Sequence, residues 1–366
     1  ICCGDTVVIP PIDFRRVADV DPYAVVQTLV AHRANSLLGS PAFMLNVARY
    51  MRYHRVSCES MRLLIVGGAP VPIAVIDMLN AAFPGARGLV IYGSSEAEPI
   101  AHIEFGEILS AHNVQEWYPL DPDAALSVSA ISCLRGYLVG PPVDCIELAL
   151  LDVPSGITYL DERGIEPYRC SGNSARGEVV VRGDHVTRAY LDHIGDEGNK
   201  LLQRDGSVWH RTGDIAAYDD AGRLWLLGRL QDVVRHQGID IDPFPVEAAL
   251  ENLHGVSRAA LISDAANQWA RVFIELHGGC DEQKVVKTVN RTFSSLGLPE
   301  LALQFRAQLP VDGRHNWKID RLSLRKTSLS MVANPYRLRR GLVYFCDPKL
   351  CFALCEKLRF GMRLRG

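Results

Sequence analysis

The sequence predicts an α/β portion of a large domain, with a parallel sheet and a β-rich subdomain, followed by a small α+β C-terminal domain. Three observations predict this fold class. Apolar strands alternate with a helix in residues 62–92, and short strands separated by Gly, Pro and Asp run from about 134 to 230. A mixture of strands and helices then extends from 231 to 330. With 366 residues, 48% of them hydrophobic, the chain is long enough for two domains.

The first elements predicted are two helices in residues 22–53. Apolar residues such as Val25 and Leu29, and later Phe43 and Val47, recur at helical spacing. The run Gly39-Ser40-Pro41 separates the two patterns and favours a break.

A β-α-β unit is predicted next. "RLLIV" (62–66) and "GLVIY" (88–92) are short β-rich runs, and residues 72–83 between them have helical periodicity. This alternation is typical of a parallel sheet covered by helices. The run "YGSSEAEP" (92–99) then leaves the sheet, and we expect it to lead from a strand into a helix. Ligands bind at such strand ends in open α/β sheets.

Residues 1–230 are therefore assigned to the large domain, and about 134–230 of them to its β-rich, mostly antiparallel subdomain. The small α+β domain is assigned to residues 231–330, and a basic tail to 331–366. Within the small domain the predicted strands are 239–241, "SRAALIS" and "RVFIEL", and the predicted helices are 245–253 and about 281–293. The tail has eight Arg or Lys against two acids. It is typical of a solvated helix or of a connection to a further segment, and a membrane-surface helix stays open.

Composition excludes several classes of function. A formal net charge of −3 gives no overall attraction to nucleic acid, so no nucleic-acid partner is expected. No apolar run approaches the 18 to 20 residues or so of a membrane span. The ten cysteines form no CxxC pair and the first residues contain no signal-peptide pattern, so a reducing, cytoplasmic setting is expected. No GxGxxG follows a strand, which excludes a dinucleotide dehydrogenase.

Five stretches carry residue types suited to binding a phosphorylated ligand. They are "GGAPVP" after the first strand, "YGSSEAEP", "WHRTGD" (209–214), "GRLQDVVRHQG" within 228–247, and "PVDGRHNWKIDR" (310–321). Small residues permit close approach of a flat ligand to the backbone, and a carboxylate can accept hydrogen bonds from two vicinal hydroxyls. Arg and Lys suit an anionic phosphate. Each stretch taken alone is also compatible with a turn or a solvated surface charge.

In this order and spacing, the five stretches resemble the adenylate-forming superfamily of acyl-CoA synthetases, luciferases and nonribosomal-peptide adenylation domains. The resemblance covers residues 1 to about 325. It implies that a carboxylic acid attacks the α-phosphate of ATP to give acyl-AMP and pyrophosphate. The acid is expected to be a medium- or long-chain fatty acid. It also implies Mg²⁺ as a cofactor, and coenzyme A or the pantetheine of an acyl carrier protein as the acceptor.

The resemblance also implies roles for particular residues. Glu96 would bind Mg²⁺, Ser95 would contact phosphate, Asp214 would hold the ribose hydroxyls and Arg229 would contact ribose and phosphates. Lys318 would be the catalytic lysine that offsets charge at the α-phosphate. The remaining nucleotide-binding positions would be Gly67, Gly68, Ala69, Tyr92, Gly93 and Ser94, with Gly238 in the thiol channel and Gln231 at the hinge.

Two positions depart from the family pattern. The hinge residue is usually acidic or Lys, but is Gln231 here, followed by Asp232. The residue before the catalytic lysine is usually Gly, but is Trp317 here. The surrounding "RHN" is similar to the subgroup of long-chain acyl ligases and the β-lactone synthetases of olefin biosynthesis.

A third departure concerns the phosphate loop. No segment of the form TSGTTGxPK occurs in residues 1–366. The first residue, Ile1, is compatible with an interior piece of a longer product, and we expect an N-terminal portion to be encoded upstream. For residues 1–366 alone we expect impaired turnover. A catalytically silent nucleotide- or acyl-binding remnant and a β-lactone-forming ligase are the alternatives.

Overall fold

The structure is a computed structural model. It describes residues 4, 6–13, 20–113, 135–171, 175–263, 270–299, 301–312, 317–326 and 343–344. The predicted basic tail, 331–366, lies outside these residues except for its pair 343–344.

The described residues divide into two compact units. The first holds the described residues of 1–113, 135–231 and 311–319, and the second holds the described residues of 232–310 and 320–344. None of the helices in the described part of the chain is long and apolar enough to cross a membrane.

The first unit begins with a four-stranded sheet in the order β1-β2-β3-β4. The first three strands are parallel, and β4 is antiparallel to β3. Helices α2 and α4 contact this sheet and α3 contacts both helices, with Leu64, Val66, Ile76 and Leu79 among the buried residues. The elements are α1 (Pro22–Ala31), β1 (Ser36–Gly39), α2 (Pro41–His54), β2 (Leu63–Gly67), α3 (Ile73–Ala82), β3 (Arg87–Ser94), β4 (Ala97–Glu104) and α4 (Phe105–Asn113).

Local sequence signals fix where the first helices begin. Asp21 caps α1 by accepting the amide of Tyr23 (3.0 Å), and Pro22 occupies the first helical position. Ser40 caps α2 in the same way, followed by Pro41. The two predicted helices and the β-α-β unit are therefore present.

Two strands of this sheet differ from the expectation. Residues 36–39, read as part of the first helical pair, form β1, an edge strand whose Leu38 is 69% exposed. The run "YGSSEAEP" does not lead from a strand into a helix. It forms the tight turn of the β3–β4 hairpin, in which Ser94 pairs with Ala97. A Cβ on Gly93 would meet the carbonyl oxygen of Ala97 at 2.8 Å, so the close approach of the two strands requires glycine there.

The remainder of the first unit contains the antiparallel sheet expected for residues 134–230. Its order is β5-β10-β9-β7-β6, with β8 paired to β9. Buried residues including Val180, Leu201 and Trp209 form a core beneath it. The strands are β5 (Tyr137–Gly140), β6 (Glu147–Leu151), β7 (Arg176–Arg182), β8 (Lys200–Leu202), β9 (Val208–Tyr218) and β10 (Leu224–Arg229).

The second unit contains the predicted α+β pattern. A sheet in the order β13-β14-β15-β16 packs with α5 and α6 around one apolar core. Helix α5 begins at Pro243, two residues before the predicted start, and the short strands β11 and β15 were not predicted. The elements are β11 (Val234–His236), β12 (Ile239–Ile241), α5 (Pro243–Glu251), β13 (Val256–Ser263), β14 (Ala270–Leu276), α6 (Glu282–Ser295), β15 (Ala302–Arg306) and β16 (Val343–Tyr344).

Candidate active site

The carboxylate of Asp214 is contacted by two residues from other motifs. Asp214 on β9 and Arg229 at the end of β10 are cross-strand partners, and Arg229 Nε lies 2.8 Å from Asp214 Oδ1. Tyr92, on β3 of the other sheet, donates its hydroxyl to Asp214 Oδ2 at 2.8 Å. A guanidinium and a phenol therefore both lie within hydrogen-bonding distance of the Asp214 carboxylate.

The protonation of this group depends mainly on burial. Burial raises the pKa of Asp214, and the charge of Arg229, the hydroxyl of Tyr92 and the charge of Lys318 partly offset that rise. Burial, and then the neighbouring Asp214, raise the pKa of Tyr92 well above its usual range. Tyr92 is therefore a neutral donor at physiological pH.

The part of β9 that carries Asp214 is held by a buried ion pair. Arg211 contacts Glu178 Oε2 through Nε (2.9 Å) and Nη2 (2.6 Å), and both side chains are less than 10% exposed. Glu178 Oε1 also accepts the amide of Gly213 at 3.2 Å. Thr212 Oγ1 accepts the amide of Asp214 at 3.0 Å. The backbone amides of Gly213 and Asp214 are thus both held by side-chain acceptors.

Glu96 lies in the β3–β4 turn, and its carboxylate has a defined partner. Tyr190 donates its hydroxyl to Glu96 Oε1 at 2.9 Å, and the amide of Thr187 donates to the Glu96 carbonyl at 2.7 Å. Partial burial alone would raise the pKa of Glu96. The hydrogen bonds to its carboxylate, chiefly that from Tyr190, outweigh burial and leave the pKa below its ordinary value. Glu96 is therefore ionised at neutral pH.

A buried lysine and histidine lie beside this carboxylate. Lys200 is 1% exposed, bonds to the Thr187 carbonyl and lies 3.3 Å from His210 Nδ1. Burial, together with the charge of Lys200, lowers the pKa of His210 to about 4. Burial also lowers the pKa of Lys200, and the charges of Glu96 and Asp196 partly oppose that shift. His210 is thus a neutral imidazole at pH 7.

The Gly67–Ala69 turn follows β2 as predicted. A Cβ on Gly67 would lie 3.0 Å from the Ile91 carbonyl oxygen, and Gly68 has a φ of +83°. A side chain at Gly67 would crowd β3, and a side chain at Gly68 would strain the backbone. Both positions therefore favour glycine.

Lys318 belongs to a short segment of the first unit, residues 311–319. Val311 and Ile319 form an antiparallel bridge, and the Asp312 carboxylate accepts the amide of Lys318 at 3.1 Å. The Lys318 side chain is exposed, and its charge lowers the pKa of Asp214. This influence only partly offsets burial, so the pKa of Asp214 remains raised.

The remaining predicted positions are spread over both units. Ser94 ends β3 and Ser95 is exposed in the hairpin turn. Gln231 follows β10 in a short 3₁₀ turn. Gly238 lies in the second unit, between β11 and β12, with a φ of +79°.

Sequence reasoning did not identify four residues that complete this site: Glu178, Tyr190, Lys200 and His210. Tyr190 and Glu96 are 94 residues apart, and no local pattern links them. Burial of Lys200 is the hardest of these features to predict from sequence, because lysine is usually exposed. Glu178 had a weak signal, as a lone acid at the start of the apolar run "GEVVV".

A sequence model of the family described as AMP-binding enzyme matches residues 1–191. The chain is 28% identical over 332 residues to an olefin β-lactone synthetase of Stenotrophomonas maltophilia, covering 88% of this chain and 56% of that protein. It is 26% identical over 242 residues to 4-coumarate–CoA ligase 1 of Glycine max, covering 65% and 71% of the two chains. The chain therefore spans little more than half of the β-lactone synthetase's length.

A solved structure supports the fold. The amide bond synthetase of Marinactinospora thermotolerans superposes with a TM-score of 0.63 at 21% identity, over 84% of this chain and 55% of that one. The predicted α/β fold class is confirmed, and so is the resemblance to adenylate-forming enzymes, including the β-lactone synthetase subgroup. Because the family match covers more than half of its residues, this chain belongs to the AMP-binding enzyme family.

Proposed function

We propose that this chain carries most of the nucleotide site of an AMP-forming ligase that activates a carboxylic acid, with a medium- or long-chain fatty acid as substrate. The observation that supports it is that Tyr92 and Arg229 both contact the carboxylate of Asp214. The charge of Lys318 also acts on this carboxylate. These residues come from four separate motifs.

The Asp214 group is suited to a ribose. Each carboxylate oxygen has two lone pairs, so Asp214 can accept vicinal hydroxyls in addition to Tyr92 and Arg229. The Arg229 guanidinium, 45% exposed, can reach a phosphate while its Nε stays on Asp214. We assign the backbone of Gly67–Ala69 and the ring of Tyr92 to the adenine and acyl side of this site, with Gly93 and Ser94 beside them.

In the proposed reaction a carboxylate oxygen of the acid attacks the α-phosphorus of ATP. The bond from that phosphorus to the bridging oxygen breaks, pyrophosphate leaves and acyl-AMP remains. Lys318 would stabilise the charge that develops on the α-phosphate, a type of contribution that reaches about 3 to 4 kcal/mol for one donor.

Glu96 fits the proposed magnesium site. It is an ionised hard-oxygen donor, held by Tyr190 in the hairpin turn. In the described residues no group of three or more His, Cys, Asp or Glu could hold a metal ion. Glu96 would therefore share Mg²⁺ with the phosphates of ATP, and Ser95 would contact phosphate beside it. Bound Mg²⁺ would neutralise phosphate charge.

For the second step we propose transfer of the acyl group to a thiol of coenzyme A or of a carrier protein, with Gly238 in the thiol channel and Gln231 at the hinge. The similarity to the olefin β-lactone synthetase favours an alternative. In that case a β-hydroxyl of the substrate attacks the acyl carbon, AMP leaves and a β-lactone forms.

For residues 1–366 alone we propose nucleotide binding with impaired turnover, because the Gly-, Ser- and Thr-rich phosphate loop is absent from this sequence. We place the reaction in the cytoplasm, in keeping with the free thiols of Cys58, Cys145, Cys170 and Cys280.

The test uses the full-length gene product with ATP, Mg²⁺ and a panel of medium- and long-chain fatty acids and their β-hydroxy derivatives. We expect pyrophosphate release with at least one acid, and the product, thioester or β-lactone, identifies the second step. Lys318→Ala should lower adenylate formation at least about 100-fold and spare thioester formation from supplied acyl-AMP. Absence of pyrophosphate release with every acid, although ATP binds, would refute the ligase.

A further inference from the structure

The side chain of Trp317 connects two parts of the candidate site. Its indole N–H donates to the carbonyl oxygen of Pro70 at 2.9 Å, across 247 residues of sequence. Pro70 immediately follows the Gly67–Ala69 turn, and Trp317 immediately precedes Lys318. One hydrogen bond thus links the lysine segment 311–319, of which the structure describes residues 311–312 and 317–319, to the turn after β2.

The lysine segment also has internal contacts that transmit this restraint. The Asp312 carboxylate lies 3.4 Å from the Trp317 amide and 3.1 Å from the Lys318 amide, and both amides donate to it. The Asp312 amide donates to the Lys318 carbonyl at 2.9 Å. Because the backbone of Trp317 and Lys318 is held by the same carboxylate, fixing the indole also fixes the origin of the lysine side chain.

The chemistry of this contact is particular to tryptophan. The indole nitrogen is a donor only, and the Pro70 carbonyl is an acceptor, so the pair is complementary. Phenylalanine keeps an aromatic ring but has no N–H, and glycine, the residue usual in the family at this position, supplies neither. The half-buried Trp317 ring therefore contributes both packing and a directed bond.

We propose that Trp317 is a positioning residue that anchors the lysine segment to the Gly67–Pro70 turn and so holds Lys318 at the nucleotide site during adenylate formation. The kinetic part of this proposal rests on the proposed function. The anchoring itself does not, because it concerns the segment in the chain without substrate.

The anchor is tested by hydrogen exchange, followed by mass spectrometry, in peptides that cover 311–319 of the full chain. Trp317→Phe should speed exchange in this segment about threefold to tenfold, the range that corresponds to loss of one ordinary hydrogen bond. Trp209→Phe is the matched control. Trp209 is buried, and its indole nitrogen makes no hydrogen bond within the described residues. We expect this control to leave exchange in 311–319 unchanged.

The kinetic consequence is measured with the full-length product. Trp317→Phe should lower the rate of adenylate formation about threefold to tenfold while ATP affinity and thioester formation from supplied acyl-AMP stay unchanged. Unchanged exchange in Trp317→Phe, or an equal increase in Trp209→Phe, overturns the anchor. If the wild type forms no adenylate, the proposed function fails, and the exchange result still decides whether Trp317 anchors the segment.

Discussion

Asp214 is a largely buried carboxylate whose negative charge is stabilised by its neighbours. Its burial disfavours the charge, yet Arg229, Tyr92 and the charge of Lys318 all favour it. The carboxylate is also oriented before any ligand binds, since one oxygen faces Arg229 and the other faces Tyr92. Under the proposed function, less ordering would then be needed when the ribose hydroxyls bind.

The first prediction concerns this carboxylate. Asp214→Asn replaces one acceptor oxygen by an amide NH2 group, which cannot accept, so we expect ATP affinity to fall at least about tenfold, the loss of one charged hydrogen bond. Isothermal titration calorimetry measures the change. Asp220→Asn, exposed in the turn between β9 and β10, is the matched control and should bind ATP like the wild type. An unchanged affinity for Asp214→Asn would contradict the ribose assignment.

A second prediction concerns the hydroxyl of Tyr190. Tyr190→Phe removes the hydrogen bond to Glu96 Oε1, which raises the pKa of Glu96 and leaves its carboxylate free to rotate. The concentration of Mg²⁺ needed for half-maximal ATP binding should rise about tenfold or more. Tyr159→Phe, on an exposed tyrosine, serves as the control. Identical Mg²⁺ dependence in both variants would show that Tyr190 does not orient a metal ligand.

The candidate residues within motifs could be predicted from the sequence. The residues that form hydrogen bonds to them from distant positions could not. Asp214 and Arg229 lie in recognisable stretches, and the structure pairs them; Lys318 lies in another, and its charge acts on Asp214. Tyr190 and Glu178 act through contacts with residues 94 and 35 positions away. Such contacts arise only when the strands pair, so no local pattern predicts them.

At the scale of elements, the sequence predicted those with strong periodicity and missed both edge strands of the first sheet, β1 and β4. Strand β1 has four residues and lies between two helices, which makes its apolar run "SLLG" ambiguous. Strand β4 contains Pro99 and charged residues, a composition that argues against a central strand. It lies at the end of the order β1-β2-β3-β4, where proline is tolerated.

A third prediction tests how β7 supports β9. Glu178→Gln leaves the buried Arg211 guanidinium without its full counter-charge, so the free energy of unfolding should fall by about 3 kcal/mol. Urea denaturation measures this change. The more exposed pair of Glu147 on β6 with Arg182 on β7 gives the control. Glu147→Gln should cost less than about 1 kcal/mol. Equal losses in the two variants would show that the buried pair has no special role.

For the whole molecule, the pH dependence of stability follows from His210. Its pKa is about 4 in the folded chain, below the ordinary 6.5, so the unfolded chain binds more protons between these values. His210 therefore contributes stability that is fully present above pH 6.5 and is lost as the pH falls towards 4. The loss is on the order of 3 kcal/mol, from a shift of roughly 2.5 units.

This fourth prediction is tested with His210→Gln, which cannot titrate in this range. Its free energy of unfolding should fall less between pH 6.5 and pH 4 than that of the wild type. His254→Gln, on an exposed histidine, should keep the wild-type slope. Parallel curves for His210→Gln and the wild type would show that His210 is not buried as a neutral imidazole.

Strand β1 has a consequence for work at the bench. Among the residues that the structure describes, β1 pairs with β2 alone, and Leu38 projects from it into solvent. A strand with one unpaired edge and an exposed leucine is a template for self-association. Concentrated preparations of these 366 residues are therefore expected to aggregate through this edge. Ligand titrations should be run dilute and checked by light scattering, so that loss of protein into oligomers is not mistaken for weak binding.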